Sequence, residues 1–178
     1  RPTRTISLIE FCGNNKNNLE KQVTTLCKII DAKKTNSGKA TGYYRTADPK
    51  EIKDLWSLRK KGVGLLGNTK GARKPLPFVE DTAVPPENLA DYIREFRKLL
   101  ESYGLEYAMF GHVDVGCLHV RPALDLKNPD EEAWIRERSD KVVALVKKYG
   151  GVMWSEHGRG FRSEYTADFF GEELHQDL

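Results

Sequence analysis

Apolar and polar residues recur along this chain with two different periods. Residues 5–11, Thr-Ile-Ser-Leu-Ile-Glu-Phe, alternate as a strand does, and an asparagine-rich break at residues 14–18 follows. Leu19, Val23, Leu26, Cys27 and Ile30 then return at helical spacing, which predicts a helix over residues 19–33 that stops at Ser37-Gly38. Residues 41–45, Thr-Gly-Tyr-Tyr-Arg, read as a short second strand. Asp48-Pro49-Lys50-Glu51 has the form of a capping box with proline at the first helical position, and its helix carries Ile52, Leu55, Trp56 and Arg59. Residues 62–77 are rich in glycine, proline and basic residues and form a loop. They lack the glycine spacing and the Lys-Ser/Thr ending of a phosphate-binding loop.

Beyond the loop the pattern repeats. Leu-Pro-Phe-Val-Glu-Asp-Thr-Ala-Val is a strand, and a helix with Leu89, Ile93, Phe96 and Leu100 on one face runs to Tyr103-Gly104. A strand then leads to His112. Cys-Leu-His-Val-Arg-Pro-Ala-Leu-Asp-Leu is the next strand, and Asn128-Pro129-Asp130-Glu131 caps a helix with Trp134, Ile135, Val142, Leu145 and Val146. That helix ends at Tyr149-Gly150, and a last apolar segment leads to His157. Strand–helix–strand twice over is the split βαβ arrangement of ferredoxin-like folds. The expectation is an α+β domain with a mostly antiparallel sheet covered by helices. Two related halves, residues 1–66 and 75–165, are expected within one domain that begins without methionine and reads as a piece of something larger.

Composition narrows the function. At 178 residues, 39% hydrophobic and 31% charged, the chain suits a soluble globular domain. No apolar run approaches the roughly 20 residues that span a bilayer, and no secretory signal is present. The net charge of +3 comes from basic residues interleaved with acidic ones, which suits a solvated surface and not a nucleic-acid footprint. Cys12, Cys27 and Cys117 are scattered, fit a reducing, cytoplasmic setting, and fall short of the four thiolates an iron–sulfur cluster usually takes.

The candidate chemistry lies in two stretches. In Gly-His-Val-Asp-Val-Gly-Cys-Leu-His-Val-Arg-Pro, residues 111–122, a hairpin centred between Val115 and Gly116 sets His112 opposite His119. Opposed side chains share a face with Cβ atoms about 4.5–5.5 Å apart, close enough for two imidazoles to hold one cation. Arg121, two residues on, shares that face. By spacing alone, two packed or solvated strand histidines remain the commoner case. In Trp-Ser-Glu-His-Gly-Arg-Gly-Phe, residues 154–161, Glu156 offers a hard oxygen donor beside the imidazole of His157. If the stretches meet, His112, His119 and Glu156 form a three-donor set with an open position, as in catalytic zinc sites. A simple ferredoxin-like sheet does not bring them together, because its last strand lies at the opposite edge from its second.

At these residues the sequence resembles the C-terminal domain of FAD-linked oxidases, a family that includes D-lactate dehydrogenases, glycolate oxidase subunits and D-2-hydroxyglutarate dehydrogenases. Four stretches carry the resemblance in order: Leu-Trp-Ser-Leu-Arg-Lys-Lys-Gly, Pro-Phe-Val-Glu-Asp-Thr-Ala-Val-Pro-Pro-Glu-Asn-Leu, the histidine hairpin and Ser-Glu-His-Gly-Arg-Gly-Phe. They are most similar to long bacterial members in which a flavin domain, this cap and an iron–sulfur region share one polypeptide. The hairpin tip, Asp114-Val115-Gly116-Cys117, departs from the Gly-Asp-Gly-Asn usual in the family. The resemblance implies a cap that oxidises nothing alone. In it a divalent metal, zinc first among those the donors suit, sits on His112, His119 and Glu156, and His157 is the base. Arg59 and Arg121 would bind the carboxylates of a small D-2-hydroxy acid. A lysine of some relatives aligns with Val79, so Lys74 is a candidate substitute. FAD and an iron–sulfur cluster would belong to other domains of the full-length protein. The contrasting expectation is a non-catalytic ferredoxin-like binding or regulatory module with a structural metal or none.

Overall fold

A computed structural model describes residues 5–32, 40–65 and 70–177. The chain divides into two compact units, Arg1–Gly62 and Val63–Leu178. The mixture of helix and antiparallel sheet is α+β, as the residue pattern implies.

In the first unit α1 (Lys16–Ala32) starts three residues before the first apolar position of its stripe. Asn15 causes this: its side-chain oxygen accepts the Asn18 N–H at 3.0 Å, an N-cap that brings the asparagine run into the helix. The expected stop at Ser37-Gly38 lies outside the described residues. The helix α2 (Pro49–Leu65) opens as the capping residues imply, with Asp48 Oδ1 accepting the N–H groups of Lys50 and Glu51 at 2.9 Å each. Residues 5–11 and 41–45 are not strands, and the described residues of this unit are helical or irregular. Period-two alternation gives a strand only where another strand is there to pair with it, and Ile6 and Ile9 are instead exposed. The sheet that a half related to the second unit would carry is therefore missing from these residues.

The second unit is built around β4 (Cys117–Leu124). Along one edge it pairs antiparallel with β3 (Tyr107–His112). Along the other it pairs with two short pieces, β1 (Lys74–Pro75) at Leu124 and Ala123 and β2 (Thr82–Ala83) at Leu118 and Cys117. The strand expected from Leu76 to Val84 is thus broken. Pro122 has no N–H to give to that edge, and the partner chain leaves the ladder there after Leu76 donates to the Pro122 carbonyl at 2.9 Å. A single bridge, Ala83 with Val152, adds the last segment beyond β2, in the strand order of a ferredoxin-like sheet. Gly151 permits that approach, since a Cβ there would stand 2.2 Å from the Ala83 carbonyl oxygen.

The two helices α3 (Leu89–Ser102) and α4 (Pro129–Lys148) cover one sheet face. Phe96, Leu100, Val142 and Val146 form one core with Leu118, Val120 and Leu124 of β4. Asn128 caps α4 by accepting the Asp130 N–H at 3.1 Å, with Pro129 next in line. After residue 159 the chain winds through a 3₁₀ turn, Gly160–Tyr165, into α5 (Thr166–Phe170) and α6 (Glu172–Asp177), which the residue pattern did not announce. No described helix is long and apolar enough to cross a membrane.

Candidate functional site

The other face of β4 carries Cys117, His119 and Arg121. The hairpin that presents them is closed by a 3₁₀ turn, Val113–Val115, and by Gly116 at φ 69°. At Gly116 a Cβ would lie 1.8 Å from the Val84 carbonyl oxygen, so glycine is required twice over. The loop holds four residues, which moves its centre one residue earlier than expected. His112 therefore faces Cys117, and His119 faces Phe110. This corrects the expected His112–His119 pairing. Each partner changes by two residues, however, and a two-residue slip keeps every side chain on its face. The imidazoles of His112 and His119 remain neighbours, with ring centroids 5.9 Å apart.

Glu156 reaches this face because the chain does not continue as a strand after Val152. Residues 153–158 fold back over the sheet, held by Asp81. Asp81 sits at φ 67°, a conformation that aspartate tolerates better than most residues, and its side chain is fully buried. Its Oδ2 accepts the N–H groups of Ser155 at 3.1 Å and His157 at 2.9 Å, and its Oδ1 accepts that of Glu156 at 3.0 Å. Three consecutive amides on one carboxylate fix the loop. Arg162, also buried, balances the charge from 3.7 Å and donates to the carbonyls of Glu80, Met153 and Gly158. Burial pulls its guanidinium below its usual pKa, and Asp81 and Glu80 oppose that pull.

The result is a cluster around one oxygen. Glu156 Oε1 lies 3.2 Å from His112 Nε2, 3.6 Å from His119 Nε2 and 3.6 Å from Cys117 Sγ. Desolvation, the largest influence, holds His119 below its ordinary pKa, with Glu156 acting the other way, which favours the neutral ring that a metal ligand needs. Burial pushes the Cys117 thiol up to about 11. His119 Nδ1 is buried without a hydrogen-bond partner. The donor atoms of His112, His119 and Glu156 all lie within 4.8 Å of one another, a set that fits a divalent cation of the borderline class.

His157 stacks on His119 at 4.8 Å with 20° between the planes. Its Nδ1 lies 3.4 Å from Glu80 Oε1, and its Nε2 lies 3.7 Å from Glu156 Oε2. Glu80 in turn accepts from Arg121 Nε at 2.6 Å and Nη2 at 3.4 Å, and Arg121 lies over the Phe110 ring at 5.7 Å. Arg121, Glu80 and His157 thus form one line of facing side chains beside the cluster.

A family model described as FAD linked oxidases, C-terminal domain, matches residues 1–176. The chain belongs to this family. It is 53% identical over 174 residues to a D-2-hydroxyglutarate dehydrogenase of Pantoea ananatis, which covers 97% of this chain and 17% of that protein. It is 51% identical over 174 residues to the Escherichia coli protein of the same name, with the same coverage. A D-lactate dehydrogenase of Archaeoglobus fulgidus is more distant, 34% identical over 94 residues, covering 51% of this chain and 20% of that protein. The chain spans about a sixth of the length of the D-2-hydroxyglutarate dehydrogenases it matches, 17% in each of these two cases.

Within this FAD-linked oxidase domain the structure gathers five of the seven residues singled out in the sequence: His112, His119, Arg121, Glu156 and His157. Lys74 is not among them. It pairs with Leu124, at the other end of β4 from Cys117 and on the opposite face from His119, because the loop before it feeds the far end of the broken edge strand. Arg59 lies on α2, with its guanidinium 5.9 Å from the Trp56 ring centre, whereas every residue of the cluster comes from the second unit. Glu80, Asp81 and Cys117 were missed. Two acids inside the apolar run Pro-Phe-Val-Glu-Asp-Thr-Ala-Val were the available signal, since buried carboxylates need dedicated partners.

Proposed function

We propose that this FAD-linked oxidase C-terminal domain is the substrate- and metal-binding cap of a D-2-hydroxy acid dehydrogenase, with D-2-hydroxyglutarate as substrate and 2-oxoglutarate as product. The observation that carries the reading is the convergence of His112, His119 and Glu156 beside His157, with Glu156 37 residues after His119 in the chain. The substrate follows from relatives named D-2-hydroxyglutarate dehydrogenase at 51% and 53% identity.

In this reading His112, His119 and Glu156 hold a divalent cation, zinc by preference. When bound, the cation supplies the Lewis acidity that makes the substrate α-hydroxyl a stronger acid, while the FAD that takes the hydride is held by another part of the full-length protein. His157 removes the hydroxyl proton. Glu80 faces Nδ1, and Nε2, the nitrogen nearer Glu156, is the one assigned to take the proton. Arg121, anchored through Nε on Glu80, contributes the positive charge that draws a substrate carboxylate.

The full-length protein is expected to oxidise D-2-hydroxyglutarate faster than D-lactate or glycolate, and this domain alone to be colourless and inactive. His157→Ala is expected to lower kcat about 10²–10⁴-fold, the usual worth of a positioned base. Turnover near the wild-type rate in that variant would remove His157 from the role. A full-length protein that oxidises no D-2-hydroxy acid would leave a binding module in its place.

A further inference from the structure

Cys117 belongs to none of the roles above, yet it stands inside the cluster. We propose that its thiolate is a fourth donor to the cation, making a His–His–Cys–Glu set that selects zinc. The inference rests on the three-donor reading and adds one residue to it.

Three observations carry it. The hairpin register places Cys117 directly across from His112, so the two side chains rise from the same face of the sheet. Cys117 Sγ lies 3.6 Å from His119 Nε2 and 3.6 Å from Glu156 Oε1. That same Glu156 oxygen lies 3.2 Å from His112 Nε2 and 3.6 Å from His119 Nε2. Around a tetrahedral zinc with bonds of about 2.0–2.2 Å to nitrogen and oxygen and about 2.3 Å to sulfur, the edges are about 3.3–3.5 Å between the lighter donors and about 3.6 Å to sulfur. The four separations are of that size, and a zinc that takes a fifth neighbour keeps a position for the substrate hydroxyl.

Burial points the same way. Cys117 is 1% exposed and His119 2% exposed, and the His119 ring has one nitrogen with no partner while the other is turned to Cys117 and Glu156. Asp81, the nearby carboxylate that also groups with Cys117 and His119, already spends both oxygens on the amides of residues 155–157. The sulfur faces Glu156 and His119, with the Ser155 side chain beside it. As the sulfur–metal bond forms, the thiol proton leaves to solvent, so binding through Cys117 releases one proton. A thiolate among imidazoles discriminates against manganese and magnesium, which prefer oxygen.

The test is zinc-edge X-ray absorption on the zinc-loaded full-length holoenzyme, which reads the neighbours of zinc alone and is blind to iron. The expected result is one sulfur neighbour at about 2.3 Å in the wild type, lost in Cys117→Ser. Cobalt(II) loading provides a second readout: a near-ultraviolet thiolate-to-cobalt band in the wild type, absent from Cys117→Ser. If that variant does not fold, the wild-type sulfur shell and cobalt band decide alone. Zinc that His112→Ala/His119→Ala removes, but that shows only nitrogen and oxygen neighbours, overturns Cys117 and leaves the three-donor site standing. A sulfur shell that persists in Cys117→Ser also overturns it. Equal zinc in the wild type and in the double histidine variant overturns both.

Discussion

The two faces of β4 are both buried, and they are buried by different means. Leu118, Val120 and Leu124 point to α3 and α4 and are covered by apolar contact that needs no particular partner. Cys117, His119 and Arg121 point the other way, and each side chain there meets a specific neighbour: Glu156, His157 or Glu80. Non-directional burial tolerates approximate packing, whereas a polar face in low dielectric is stable only when its partners are held in place. Asp81 is what holds them. It serves the second face as the whole of the two helices serves the first.

Breaking that anchor is expected to have the largest effect. Asp81→Asn removes the larger of the two charges facing the buried Arg162 and weakens the grip on three amides, for a loss of about 3–5 kcal/mol in urea unfolding. It should also release bound metal, because Glu156 loses its support. Leu124→Ala, on the apolar face, should cost about 2–5 kcal/mol through transfer and cavity formation while metal content stays at the wild-type level. Metal lost equally from both variants would show that the two faces are not separable.

A smaller effect sharpens the picture within the polar face. Glu80→Gln keeps the shape beside His157 but removes the charge that faces Nδ1. Turnover should fall about tenfold, a fraction of what a positioned base contributes, with little change in KM. A rise in KM with kcat intact would place Glu80 in service of Arg121 and the substrate instead.

The smallest effect lies away from both faces. Glu131 accepts the Asp125 N–H at 2.9 Å, the larger influence, and bonds from Arg73, and these hold its carboxyl below the usual range. A carboxyl whose folded pKa is lowered stabilises fully above its unfolded value, about 4.3, and that contribution is lost as pH falls through the folded value. Glu131→Gln should therefore lower stability at neutral pH and converge with the wild type as pH falls through the folded value. Stability curves that remain parallel from pH 7 to pH 3 would contradict this.

The apolar face was legible in the sequence because it follows from period alone. Leu89, Phe96 and Leu100, or Val142 and Val146, recur on a helical stripe, and the caps at Asp48 and Asn128 mark where helices begin. The polar face was legible only as residue types. His112 and His119 share a face in either register, so that expectation survived a wrong hairpin centre. The meeting with Glu156 was not legible. It depends on the strand at Val152 ending after a single bridge and on a left-handed aspartate 75 residues earlier in the chain than Glu156, both outcomes of long-range pairing. The strands expected at residues 5–11 and 41–45 failed for the converse reason: their local pattern was suitable, but a strand needs a neighbour and the sequence does not name one.

The central claim is that His112, His119 and Glu156 hold a divalent cation that the reaction requires. The most direct measurement is metal content and D-2-hydroxyglutarate turnover of the full-length protein, purified under zinc-replete conditions as wild type and as His112→Ala/His119→Ala. Iron is counted separately from the other metals. The account predicts about one additional divalent ion per wild-type chain, absent from the double variant together with its turnover. Equal metal in the two proteins, or turnover that persists without it, would contradict the account.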